Sequence, residues 1–266
     1  MARRKTDHRP GKHASRAKNS RKHETELRKV PDIIIACEDK DSSPTYFRQI
    51  VQALIDERKI TQDSFVIATH QHTHCMGVLD DLMTHQRDGK TFKDFDHKWI
   101  VIDRDQALQV GQGHSVQDFV QALAAANRNK VEVAYANDSF ELWYLMHFEA
   151  VTCAYTRQEI IDRVINYLKR LNPICYERLD KKTIKSQTMT QLIFSDLNPR
   201  QNEAIRRAVR LEQNNEGQDP SVTNPATRIH RLVCLLRTLH LSRRVCSEIA
   251  PCDVIMECVE SAHVHS

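Results

Sequence analysis

Glycine is scarce in this chain, six among 266 residues, and there are eight prolines. That scarcity excludes collagen-like and glycine-rich linker architectures, and no internal repeat or low-complexity tract is visible. Long apolar runs are missing too. No stretch reaches the roughly 18–20 uncharged apolar residues of a membrane span, and the charged N-terminus carries no apolar signal segment. The expectation is a cytoplasmic protein, neither membrane-bound nor secreted. The eight cysteines include no Cys-x-x-Cys pair and fall mostly within apolar patterns, which suits reduced thiols better than a disulfide framework.

What is present, 40% hydrophobic and 28% charged residues, fits a globular protein long enough to bury a real core. The net charge of +4 hides a segregation. Residues 1–29 carry eleven Lys and Arg against Asp7, Glu24 and Glu26, a net of +8. The rest of the chain holds 28 basic and 32 acidic residues, a net of −4. The arm has too few apolar side chains to offset the entropy of ordering, so residues 1–29 are expected to be disordered in isolation. Its Arg3, Arg4, Lys5, Arg9, Lys12, Arg16, Lys18, Arg21 and Lys22 are candidate nucleic-acid-binding residues, suited to salt-sensitive contact with phosphates. An acidic partner protein is the alternative ligand for such a tail.

From Asp32 onward, short apolar runs alternate with amphipathic stretches. Ile33–Cys37 reads as a strand buried on both faces, and further strands are expected at 65–68, 99–102 and 131–135. Tyr46, Phe47, Ile50, Val51, Leu54 and Ile55 form one helical stripe, with Ser43 as its N-cap and Pro44 in its first turn. Helices are also expected at 78–85 and 116–126. Strand and helix alternating in this way predict an α/β domain over residues 30–150, a mainly parallel sheet with helices on both faces. Beyond it, a buried helix at 140–148, a capping box at Thr156-x-x-Glu159, a helix at 204–211 and one capped by Asn224-Pro225 predict a helical subdomain. It covers 151–266 and packs on the sheet.

Open parallel sheets bind ligands beyond the carboxyl ends of their strands. Glu38 follows the first strand, and Asp103 and Asp105 follow the third. Residues i and i+2 on an extended segment point the same way, and three neighbouring carboxylates repel unless a cation sits among them. Hard oxygen donors of this kind favour Mg²⁺ or Mn²⁺. Read singly, each acid serves as readily as a helix cap. Glu141, in an otherwise apolar helix, needs a partner: a metal, a basic side chain or a helix-terminal amide. Lys182 is either a phosphate-neutralising group or a solvated lysine. His70, His72 and His74 alternate along an extended segment, open to zinc, to a phosphate or to a plain polar loop.

Several segments carry a resemblance. Ile33-Ile34-Ile35-Ala36-Cys37-Glu38, Pro44-Thr45-Tyr46-Phe47, Trp99-Ile100-Val101-Ile102-Asp103-Arg104-Asp105 and the run from Phe140 to Phe148 together resemble the RloB-like family. So do Leu179-Asp180-Lys181-Lys182, Ala204-Ile205-Arg206-Arg207-Ala208 and Asn224-Pro225-Ala226-Thr227. The family is associated with bacterial restriction and abortive-infection loci and carries a Toprim (topoisomerase-primase) domain. The resemblance implies a Toprim metal centre, with Glu38 as the first acid and Asp103 and Asp105 as the Asp-x-Asp pair holding Mg²⁺ or Mn²⁺. It implies metal-dependent cleavage of DNA or RNA, tRNA among the candidates, by an anti-phage effector working with a partner ATPase. Glu141 and Lys182 are further catalytic candidates. The chain departs from the family in two loops. Glu38 is followed by Asp39-Lys40-Asp41-Ser42-Ser43, where a glycine and a further acid are usual, and Asn137-Asp138-Ser139 replaces Asn-Pro-Cys. The alternatives are a catalytically idle nucleic-acid-binding or adaptor subunit and a phosphoaspartyl phosphatase-like enzyme.

Overall fold

A computed structural model of the chain describes residues 31–105 and 115–241. The basic arm, with its candidate residues from Arg3 to Lys22, and residues 242–266 lie outside the described residues. Ile33–Cys37 forms strand β1, and all five of its side chains are buried. Five apolar residues in succession, three of them β-branched, are accommodated only where a strand has an apolar layer on each face. The chain continues through α1 (Ser42–Asp56), β2 (Phe65–Ile67), α2 (Cys75–Met83), β3 (Gln86–Arg87) and β4 (Lys90–Thr91). Then come β5 (His97–Asp103), α3 (Val116–Arg128), β6 (Glu132–Asn137), α4 (Glu141–Met146) and α5 (Arg157–Leu171). Helices α6 (Gln187–Leu197) and α7 (Gln201–Asn214), strand β7 (Ala226–Thr227) and helix α8 (Ile229–Thr238) follow.

The main sheet runs β2-β1-β5-β6-β7. Its first four strands are parallel, and β7 pairs antiparallel with β6 at the edge. Alternate strand residues feed two apolar layers. Ile34, Ala36, Ile100 and Ile102 pack against Val78, Leu79 and Leu82 of α2 and Phe119, Ala122 and Ala126 of α3. Ile33, Ile35, Trp99, Val101, Ala134 and Ala136 face the other layer, built from α1 and from α4 to α8. That layer is one hydrophobic cluster running from Ile33 to Leu239, so the helical segment after residue 150 shares a core with the segment before it. The α/β architecture expected from the sequence is therefore present. Among the described residues no helix is long and apolar enough to cross a membrane, and the five described cysteines are free.

Two local expectations are corrected, and one hairpin was not foreseen. Asp39, not Ser43, caps α1: its carboxylate accepts from the N–H groups of Ser42 (2.5 Å) and Ser43 (3.1 Å) and from both hydroxyls. The N-cap position is Asp41, and the helix starts at Ser42, two residues earlier than read. Asn224-Pro225 leads into β7 instead of capping α8, whose N-cap is Arg228. The hairpin β3–β4 has two residues per strand with exposed or half-buried side chains, too short and too polar to leave a periodic signal.

Candidate active site

The parallel register carries the acids to one edge. Cys37, the last residue of β1, lies opposite Val101, and the Glu38 N–H continues the ladder to the Val101 carbonyl at 3.0 Å. The Glu38 side chain reaches onward along β5, where its Oε2 accepts from the Asp103 N–H at 2.9 Å. Asp103 is the final residue of β5 rather than the first after it. Glu141 opens α4 just beyond the end of the neighbouring strand β6. Asp105 is not on extended backbone as expected. Its φ is +40°, a conformation that Asp tolerates better than most residues, and its N–H donates to the Asp138 carbonyl at 3.0 Å. Its carboxylate still reaches the same neighbour as Asp103, because both meet one guanidinium.

That guanidinium belongs to Arg157, the first residue of α5, which sequence reasoning did not single out. Its Nη2 lies 3.2 Å from Asp103 Oδ2 and its Nη1 3.0 Å from Asp105 Oδ2. Arg157 Nε is buried without a hydrogen-bond partner among the described residues. The capping box at Thr156 and Glu159 fixes where α5 begins, and Asp138 Oδ2 accepts the Arg157 N–H at 3.0 Å, so the backbone beneath the guanidinium is held at two points. Lys185, in a short 3₁₀ turn, lies 3.4 Å from Glu141 Oε1, and the Ser139 hydroxyl donates to Glu141 Oε2 at 2.7 Å. Glu141 therefore has the basic partner that its burial demanded. The departures Asp138 and Ser139 are built into the supports of the site.

Titration behaviour follows from this packing. Burial, and then the charge of Glu38, push the Asp103 carboxyl well above the ordinary carboxylate range; Arg157 opposes them, Glu141 adds to them, and Lys185 opposes them. Burial also pushes Glu141 upward, but Lys185, Arg157 and the Ser139 hydroxyl outweigh it and hold that carboxyl below its usual value. Burial pulls the Arg157 guanidinium down, and Asp103, Glu141, Asp105 and Glu38 more than compensate, so it is raised.

Other candidates lie apart. Lys182 is exposed, and its N–H donates to Asp180 Oδ1 at 2.9 Å; three residues on, Lys185 takes the place at Glu141. The histidines build a loop. His72 Nδ1 lies 2.7 Å from Asp81 Oδ1, His74 Nδ1 accepts from the Gly77 N–H and caps α2, and His70 Nδ1 lies 3.2 Å from the Cys37 carbonyl. Gly77 is required there, since a Cβ would fall 2.4 Å from His72 Cβ. A separate cavity of about 780 Å³, lined by β6, α7 and α8, contains none of the acids, and its Glu212 is paired with Arg228 and Arg231.

Among the described residues no three His, Cys, Asp or Glu side chains converge as a ready metal site. In donor chemistry the residues nevertheless fit a hard divalent cation. Glu38, Asp103 and Asp105 offer oxygen alone, and the charge of Glu38 adds to burial in displacing Asp103 upward, a repulsion that a cation between them would relieve. Fold and site together define an α/β protein whose parallel sheet gathers carboxylates and a half-buried arginine at its carboxyl edge. Residues 33–236 match the family model described as RloB-like protein, and the chain belongs to that family. No curated protein and no solved structure matches it.

Proposed function

We propose that the chain is a metal-dependent nuclease of the Toprim type, acting on DNA or RNA as an effector of bacterial anti-phage defence together with a partner ATPase. One observation carries the reading: acids from separate segments, Glu38, Asp103 with Asp105, and Glu141, gather at the carboxyl edge beside Arg157. Glu38, Asp103 and Asp105 would hold Mg²⁺ or Mn²⁺. Bound there, such an ion would supply Lewis acidity for activating a water and for offsetting charge on the phosphoryl oxygens. Arg157, raised and permanently charged, presents its guanidinium charge to the same oxygens. Lys185 keeps Glu141 ionised, so Glu141 adds a fixed negative charge within the site.

A second reading, a catalytically idle nucleic-acid-binding subunit, draws on the same guanidinium: Arg157 already neutralises Asp103 and Asp105. One experiment separates the two. Plasmid DNA and total RNA are incubated with the protein in Mg²⁺ or Mn²⁺, with and without the ATPase of its locus, beside Glu38→Ala and Asp103→Ala. Cleavage lost in both variants supports the nuclease. Equal cleavage by the variants rejects the acid site, and no cleavage by any form favours the idle subunit.

A further inference from the structure

A second, smaller cavity of about 270 Å³ lies between the β1–α1 turn and the exit of β2, lined by Cys37, Asp39, Lys40, Arg48, Thr69 and His70 among others. It is below the roughly 300–1,000 Å³ of sites for drug-sized organic ligands. Its walls decide the chemistry. Asp39, the acid in the lining, has both carboxylate oxygens committed to the N–H and hydroxyl groups of Ser42 and Ser43. Lys40 and Arg48 form no ion pair among the described residues, so their charge is directed to the cavity and the solvent in front of it. His70 Nδ1 faces the Cys37 carbonyl, which can only accept; that contact makes Nδ1 the donor and leaves Nε2 for another partner. Thr69 adds a hydroxyl. The Cys37 thiol is not a reactive group, because burial, chiefly, raises it far from ionisation.

We propose that this cavity is a phosphate subsite, seating one backbone phosphate of a nucleic-acid strand whose neighbouring phosphodiester lies at Glu38 and Asp103. The identity of the ligand as nucleic acid rests on the nuclease reading. The location follows from chain order: Cys37, Asp39 and Lys40 line the cavity, while Glu38 between them bonds to Asp103. A strand crossing the carboxyl edge therefore meets cations at one step and carboxylates at the next. Lys40 and Arg48 neutralise the flanking charge that the acidic site would otherwise repel. The same residues account for the loop departure after Glu38. The acid supplied there caps a helix, and the residue after it is a cation.

The test uses the full chain and a fluorescent single-stranded twelve-nucleotide probe, in chelator so that no strand is cut and no metal bridges it. The Lys40→Gln/Arg48→Gln double variant should bind about tenfold more weakly, and its log–log salt slope should fall by about 0.7, the value for one phosphate no longer neutralised on a single strand. Both side chains are exposed, so folding should be intact. The basic arm is the same in both proteins and cancels. Arg87→Gln/Lys93→Gln removes equal charge near the hairpin, which sits at the opposite edge beside Asp32, and should leave affinity within about twofold. Lys40→Arg/Arg48→Lys should restore binding. Equal weakening by both neutral pairs, no weakening by Lys40→Gln/Arg48→Gln, or no binding by the wild type overturns the subsite. Binding that depends on Lys40 and Arg48 in a protein that cleaves nothing would keep the subsite and remove the nuclease.

Discussion

Arg157 is the residue on which the site reading bears most heavily, and its replacement by Gln gives the sharpest test. The guanidinium pairs with Asp103 and Asp105 at 3.2 and 3.0 Å, with side chains 33%, 14% and 25% exposed respectively. Exposed pairs contribute about 0–1 kcal/mol, whereas stripping one partner from a buried pair costs about 3–5 kcal/mol. Two half-buried pairs that share one cation fall between these limits, at about 2 kcal/mol. For a domain of this size that corresponds to a fall in Tm of about 4–8 °C. The assay is thermal unfolding at pH 7.5 in chelator, repeated with a Mg²⁺ titration. With the cation gone, the carboxylates hold divalent ions more tightly, and saturation at about 100 times Kd restores about 2.7 kcal/mol. The variant should therefore gain more from Mg²⁺ than the wild type does. An unchanged Tm in chelator would refute the ion-pair argument, and equal Mg²⁺ responses would refute the view that Arg157 and a metal answer the same negative charge.

Three other expectations concern separate parts of the molecule. Lys185→Gln leaves the buried Glu141 without its cation and should cost about 1–2 kcal/mol together with most of any cleavage, while Lys182→Gln should change stability by less than about 0.5 kcal/mol; urea titration and a cleavage assay of both variants check this, and similar losses in both would contradict the placement. His147 is buried and neutral, and its desolvated ring is lowered to about 3. Below about pH 6.5 the unfolded chain takes up a proton that the folded chain refuses, so stability falls by about 1.4 kcal/mol per pH unit from this group until about pH 3. His147→Gln should flatten the profile of urea midpoint against pH between 6.5 and 4.5, and an unaltered slope would refute the assignment. Gly77→Ala drives a methyl group into His72 and His74 and should destabilise by about 1–3 kcal/mol in a Tm measurement, with no loss if the loop is free to move away.

The central strands were legible because Ile33–Cys37 and 99–102 are continuous apolar runs, a pattern that only a sheet covered on both faces accommodates. The capping box at Thr156 was legible because its two residues act within one helical turn. The gathering of Glu38 with Asp103 followed from the rule for carboxyl ends of parallel strands. Arg157 was not legible: it lies 54 residues from Asp103, and nothing in its neighbourhood along the chain sets it apart from other arginines. The choice between Lys182 and Lys185 was closed to sequence reading for a related reason. Both sit in a polar stretch, and only the 3₁₀ turn at Thr183–Lys185 presents one of them to Glu141.

Local pattern alone determined the four parallel strands and the helices between them, that the body is acidic and the arm basic, and that Glu38, Asp103 and Asp105 belong at one sheet edge. Each of these depends on periodicity, charge or chain order, which are properties of neighbours in sequence. Tertiary structure alone decided that Asp39 caps α1 while Lys40 and Arg48 line a cavity, and that Asp138 and Ser139 brace the site. It also decided that one guanidinium from a distant helix stands between two carboxylates. Such pairings depend on where the helices dock on the sheet, and docking is set by the shapes of two apolar layers rather than by the polar residues they bring together.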